Sequence, residues 1–224
     1  MPSGMRGEGR GPNHVLREGS DLRLPARARS IFREELRAMI DALSSHPSIV
    51  AWIPFNEGWG QHHTNDVLRW VSDYDRTRLV GGPSGWADRG YGDLVDMHSY
   101  PGPAMPHLAA GRAAVLGEFG GLGLPVRGHS WSAANNWGYR AQGSRAELGA
   151  AYRKLLEQMP ALIGRGLAAA VYTQTTDVEI EVNGLMTYDR AILKVDPNEL
   201  AELHGSVIAT PIGAEQKPAD AGQE

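Results

Sequence analysis

The chain has 224 residues, with 22 Lys+Arg against 26 Asp+Glu and a formal net charge of −4. That balance gives no electrostatic reason to bind nucleic acid or an anionic membrane surface, and no apolar stretch approaches the ~20 residues a membrane helix needs. The absence of cysteine excludes disulfides, thiolate metal sites and a Cys nucleophile, while 42% hydrophobic residues suffice for a buried core.

Residues 1–27 carry little periodicity, with Gly4, Gly7, Gly9, Gly11 and Pro12 crowded together, and are expected to form an irregular lead-in. Met1–Gly11 has no apolar core of the kind a secretory signal requires, so the default expectation is the cytoplasm. From Ser30 a helix pattern begins, with Ile31, Leu36, Met39, Ile40 and Leu43 near one face, and His46-Pro47 stops it. Ile49–Phe55 is an apolar run of strand length that ends abruptly in Asn56-Glu57-Gly58. A helix is expected over Asn65–Asp75 and strands over Arg78–Gly82, Leu94–His98 and Ala113–Glu118. A long loop with Trp131 and Trp137 leads to a helix from Arg145 to Gly164, with Leu148, Tyr152, Leu155, Leu156, Met159 and Ile163 as its inner stripe. Leu167–Gln174 reads as a final strand and Asn198–His204 as a short helix, and residues 211–224 are expected to be a disordered tail.

Short apolar strands alternating with helices predict an α/β fold with a parallel sheet covered by helices. Five strands, with two nearly helix-free connections, fit the later part of a (β/α)8 TIM barrel better than a complete one. In such folds the chemistry collects at the carboxyl ends of the strands. Those ends here read Phe55-Asn56-Glu57-Gly58-Trp59, His98-Ser99-Tyr100-Pro101, Gly117-Glu118-Phe119-Gly120 and Tyr172-Thr173-Gln174. A carboxylate straight after an apolar run is costly to bury unless it is used or paired. For one such Glu a helix cap or a surface charge is as good a reading, but two, each beside Gly and an aromatic residue, point to a pair. Two carboxylates flanking one bond are what glycoside cleavage requires, one donating a proton to the leaving oxygen and the other attacking or activating water.

The stretch His46–Trp59, HPSIVAWIPFNEGW, resembles the family 2 glycoside hydrolases, which include β-galactosidases, β-glucuronidases and β-mannosidases. Val115–Gly120 resembles that family's seventh barrel strand, and Val171–Glu179 with Asn183–Arg190 resembles the end of its eighth strand and the loop that follows. The resemblance runs from about Leu22 to Leu203 and implies a partial TIM barrel over 28–210, strands four to eight with their helices. It implies Glu57 as general acid/base and Glu118 as nucleophile of a retaining β-glycosidase, whose carboxyl groups would stand about 5–5.5 Å apart. By the same resemblance Asn56 binds the hydroxyl beside the reacting carbon and Tyr100 contacts the nucleophile, with His98 lining the same floor. Tyr172 stands where better-known members carry a Trp beneath the sugar. Trp59 and Trp137, both in loops, are expected on the substrate side, since loop Trp suits stacking on sugar faces.

The partner implied is a carbohydrate, a β-glycoside, with neither nucleic acid nor membrane, and the reaction calls for no cofactor. No metal site is expected: adjacent His62-His63 do not face one point and are read as a helix start with Thr64 near the cap. Gly81-Gly82-Pro83-Ser84-Gly85 lacks the Lys and spacing of a phosphate loop. Asp177, Glu179 and Glu181 are read as a solvated acidic strand or loop, and Asp189-Arg190 as an ion pair ordering the last loop. If Ile49–Phe55 is the fourth strand, the first three strands and the β domains that precede the barrel have no room in residues 1–48. The chain then reads as the C-terminal part of a larger glycosidase, its open edges covered by the missing strands or by self-association. The competing expectation is a truncated, inactive carbohydrate-binding barrel fragment.

Overall fold

A computed structural model describes residues 21–57, 60–85 and 87–213. The larger part of the expected lead-in, and the tail beyond residue 213, lie outside them. The chain packs into two compact units, one running through His98 and including Pro106–Val115, the other made of Ser99–Met105 and everything from Leu116 on.

The first unit begins with α1 (Ala26–Leu43), four residues ahead of the expected start. Its buried side chains are Leu36 and Ile40, with Phe32 packed beside them, a spacing of four that makes one narrow stripe. Ile31, Met39 and Leu43, expected inside, are exposed; Ile31 lies off that stripe, and Leu43 is the last residue of the helix. β1 (Ala51–Trp52), α2 (Thr64–Tyr74) and β2 (Leu79–Val80) form a strand–helix–strand unit whose two strands pair in parallel, Ala51 with Leu79 and Trp52 with Val80. The expected seven-residue strand is paired over only two, and proline explains it. The Leu79 and Gly81 amides donate to the Val50 and Trp52 carbonyls, but the next donor in that series would be Pro83, which has no N–H. Asp75 ties the unit together, accepting from the Trp52 indole at 2.8 Å and from the Thr77 amide at 2.9 Å, with Arg78 alongside at 3.3 Å. Gly81 bridges in parallel to Leu94, where β3 (Leu94–Ser99) begins, and β3 pairs with β4 (Ala113–Gly120), whose first residues belong to this unit.

In the second unit the end of β4 pairs with β7 (Leu167–Thr173), and β5 (Leu122–Gly123) pairs in parallel with β6 (Arg140–Ala141). The single helix expected over 145–164 is two, α3 (Arg145–Leu156) and α4 (Met159–Gly164). Pro160 causes the break: it has no amide to donate, and its ring would press on the carbonyl of Leu156. Ser144 caps α3 by accepting the Glu147 amide at 3.1 Å, while the Glu147 carboxylate accepts the Gly143 amide at 2.9 Å. α5 (Pro197–Ile208) starts on Asp196, which accepts from the Asn198 and Glu199 amides. The core joins Leu116 and Phe119 of β4 to Leu148, Tyr152, Met159 and Leu203 of the helices.

Two expectations about charged residues here are corrected. Asp177 is not solvated but buried, 2.6 Å from the Lys194 ammonium and accepting the Gly184 amide at 2.8 Å. Lys194 also donates to the Val182 carbonyl at 3.0 Å, and burial holds Asp177 above and Lys194 below their ordinary values. Asp189 pairs not with Arg190 but with the ring of His129 at 2.7 Å. In both cases the partner is distant in sequence, so spacing alone could not reveal it.

Candidate active site

In the first unit, the chain leaves β1 through Pro54 and Phe55 and presents Asn56 and Glu57. Asn56 is held at both ends: its backbone carbonyl accepts from Gln61 at 2.7 Å and its side-chain oxygen from Ser84 at 3.2 Å. The Glu57 carboxylate hydrogen-bonds Nδ1 of His98. On β3, Asp96 and His98 are two residues apart and so share a face, and Nε2 of His98 lies 3.8 Å from Oδ2 of Asp96. The His98 side chain is 1% exposed. Gly85 fits flat against its ring: the φ there is +83°, and a Cβ would come within 2.4 Å of the imidazole Cγ.

In the second unit Glu118 projects from the end of β4, where Oε2 accepts the hydroxyl of Tyr100. A phenol has one proton, so the Thr173 hydroxyl, 3.0 Å from the Tyr100 oxygen, is the donor in that second contact. Burial, and next the Glu118 carboxylate, raise the Tyr100 pKa well above its ordinary value, so the phenol remains a donor. The Tyr100 ring is stacked on Tyr139 at 3.7 Å and 2°. Gly120 and Gly121 both have positive φ, and a Cβ would strike the Tyr172 ring at 2.1 Å in the one and the Tyr139 ring at 2.5 Å in the other. Those glycines let two aromatic rings close on the strand end behind Glu118.

The remaining expected substrate residues fall into different settings. Tyr172 packs edge-on against Phe119 and Tyr152 beside the core, and burial raises its pKa. Trp137 is exposed, yet its backbone is clamped on both sides, donating to Ile180 and accepting from Val182, and its ring meets Tyr139 at 5.5 Å. Trp59 lies outside the described residues. His62, read as a helix start, is buried between Phe32 and Phe55, with Nδ1 3.0 Å from the Gly60 carbonyl. A cavity of about 250 Å3 between α1 and α2, lined by Arg29, Phe32, Arg33, His62, His63 and Trp70 among others, includes neither glutamate.

Sequence reasoning missed Asp96, Gly85, Thr173 and Tyr139. The Asp96-Met97-His98 alternation was a usable signal for the first. Gly85 ends the glycine run rejected as a phosphate loop, whose use here is to admit a histidine ring. Compared with protein-family models and with curated proteins, the chain matches none.

Proposed function

We propose that the chain carries the catalytic carboxylates of a retaining β-glycosidase on a partial (β/α)8 barrel, with Glu118 as nucleophile and Glu57 as acid/base. The observation that carries this reading is the difference between their partners. Glu118 accepts from a tyrosine that stays protonated, as suits a carboxylate that must attack as an anion; Glu57 meets an imidazole, a group able to share its proton. The strand–helix–strand unit of β1, α2 and β2, with Glu57 in the segment after β1 and Glu118 near the C-terminal end of β4, supports the barrel reading. In the first step the Glu118 oxygen bonds the anomeric carbon as the leaving oxygen departs with the bond electrons and takes the Glu57 proton. In the second, water attacks the same carbon, gives its proton to Glu57 and releases Glu118.

Turnover of aryl β-glycosides by this chain, lost in Glu118→Ala and restored by azide as a glycosyl azide of inverted configuration, is the expected result. Failure of azide to restore turnover overturns the nucleophile assignment. The second reading, a carbohydrate-binding fragment without hydrolysis, draws on the exposed apolar side chains of the strand regions, Val50, Ile53, Leu79 and Val171, which a full barrel would cover. Retention of a sugar ligand with no turnover by the wild-type chain would favour it.

A further inference from the structure

We propose that His98, backed by Asp96 and seated on Gly85, is a positioning residue that holds the transferable proton of Glu57. The proposal rests on the reading of Glu57 as acid/base. All four residues belong to the first unit. His98 is buried and has carboxylates toward both ring nitrogens, Glu57 at Nδ1 and Asp96 at Nε2. Which nitrogen of a histidine carries the proton is set by the hydrogen bond at one nitrogen and the charge near the other. Asp96, a buried carboxylate fixed on the same strand face, has Oδ2 3.8 Å from Nε2, too far for a direct hydrogen bond but close enough for its charge to favour a proton there. Nδ1 then presents its lone pair, and the hydrogen bond to Glu57 needs the proton to be on the carboxyl. The array Asp96–His98–Glu57 holds two protons, one on Nε2 and one on Glu57, with the negative charge on Asp96.

The cycle then balances. As the glycosidic C–O bond breaks, its electron pair stays on the leaving oxygen, which takes the Glu57 proton. Glu57 becomes a carboxylate facing the Nδ1 lone pair. It recovers its proton from the attacking water: a lone pair of the water oxygen forms the new C–O bond, the O–H pair stays on that oxygen, and the pair of the glycosyl–Glu118 bond returns to the Glu118 carboxylate. Gly85 keeps the ring in register, because any side chain there would collide with it. A direct substrate contact is a poor use of a side chain 1% exposed.

Two measurements test this. In the intact chain labelled with 15N-histidine, the expected His98 signals are those of the tautomer protonated at Nε2, becoming a tautomer mixture in Asp96→Asn. Protonation of Nδ1 alone in the wild type overturns the proposal, whether or not the chain turns over substrate. The second compares aryl β-glycosides of acidic and weakly acidic phenols in His98→Ala, His98→Asn and Glu57→Gln. Expected is a loss of at least about tenfold for His98→Ala on the poor leaving group and little on the good one. His98→Asn should recover part of it, since the amide oxygen can stand near Nδ1 and accept the same proton. Equal losses in His98→Ala on both substrates, alongside a selective loss in Glu57→Gln, overturn the role of His98 and leave Glu57 as the acid. Equal losses in Glu57→Gln overturn the acid assignment itself.

Discussion

Gly85 illustrates how much a site can depend on a side chain that is not there. Its φ of +83° costs an L-residue backbone strain, and a Cβ would sit 2.4 Å from Cγ and 2.5 Å from Nδ1 of His98. Gly111 shares the strain, with φ +74°, but has nothing within 4 Å of where a Cβ would stand. Comparing Gly85→Ala with Gly111→Ala therefore separates the two effects. Gly111→Ala is expected to cost about 1 kcal/mol and Gly85→Ala about 1–3 kcal/mol more, read from urea unfolding midpoints. The Gly85 variant should also displace the His98 signals. Equal destabilisation in the two would mean that the ring moves aside without cost, and that Gly85 does not seat it. Nothing in the sequence around Gly81–Gly85 marks this role, because the ring it admits comes from 13 positions downstream.

At the scale of elements, helix α2 shows where local reading stops. Its span was legible to within a residue from the spacing of apolar positions, since Leu68 and Val71 turn inward. Its cap was not. His63 stands at the N-cap position with φ 45° and makes no side-chain cap bond; Asp21, 43 residues before Thr64, does that work. One Asp21 oxygen accepts the Thr64 amide at 2.9 Å and the other the Thr64 hydroxyl at 2.6 Å. Asp21→Ala is expected to cost about 1 kcal/mol and to speed hydrogen exchange at the Thr64 amide, with α3 amides unchanged. Unaltered exchange at Thr64 would show that solvent caps the helix as well. The same division between local and distant causes runs through the other elements. Pro160 splits the helix expected over 145–164 and Pro83 curtails the β1–β2 ladder, both readable in principle from a proline's missing donor. Two-residue strands such as β5 and β6 carry no periodicity to detect. Glu57 and Glu118 stand out in the sequence because each comes at the end of an apolar run, and Asp96 alternates with His98, whereas Tyr139 acquires meaning only from the ring it meets.

At the scale of the whole molecule, each unit carries a carboxylate whose folded environment holds its pKa down to about 2: Asp75 in the first and Asp189 in the second. For Asp75 the leading causes are the hydroxyl of Thr77 and the indole of Trp52; for Asp189 they are the hydroxyl of Thr187 and the ring of His129. An unfolded Asp titrates near 3.9, so as pH falls the unfolded chain takes up its proton first. The stability these groups contribute is therefore complete above about pH 5 and is lost as pH falls toward 2. Salt should distinguish them, because the Asp75 side chain is 9% exposed and that of Asp189 31%, and screening acts on the more open pair. Hydrogen exchange followed separately in α2 and α3 between pH 6 and pH 2.5 reads each unit's response. Asp75→Asn should flatten the pH dependence in α2 and Asp189→Asn that in α3, with added salt mimicking the second substitution more than the first. A wild-type slope persisting in α2 of Asp75→Asn would place the acid sensitivity of the first unit on other carboxylates.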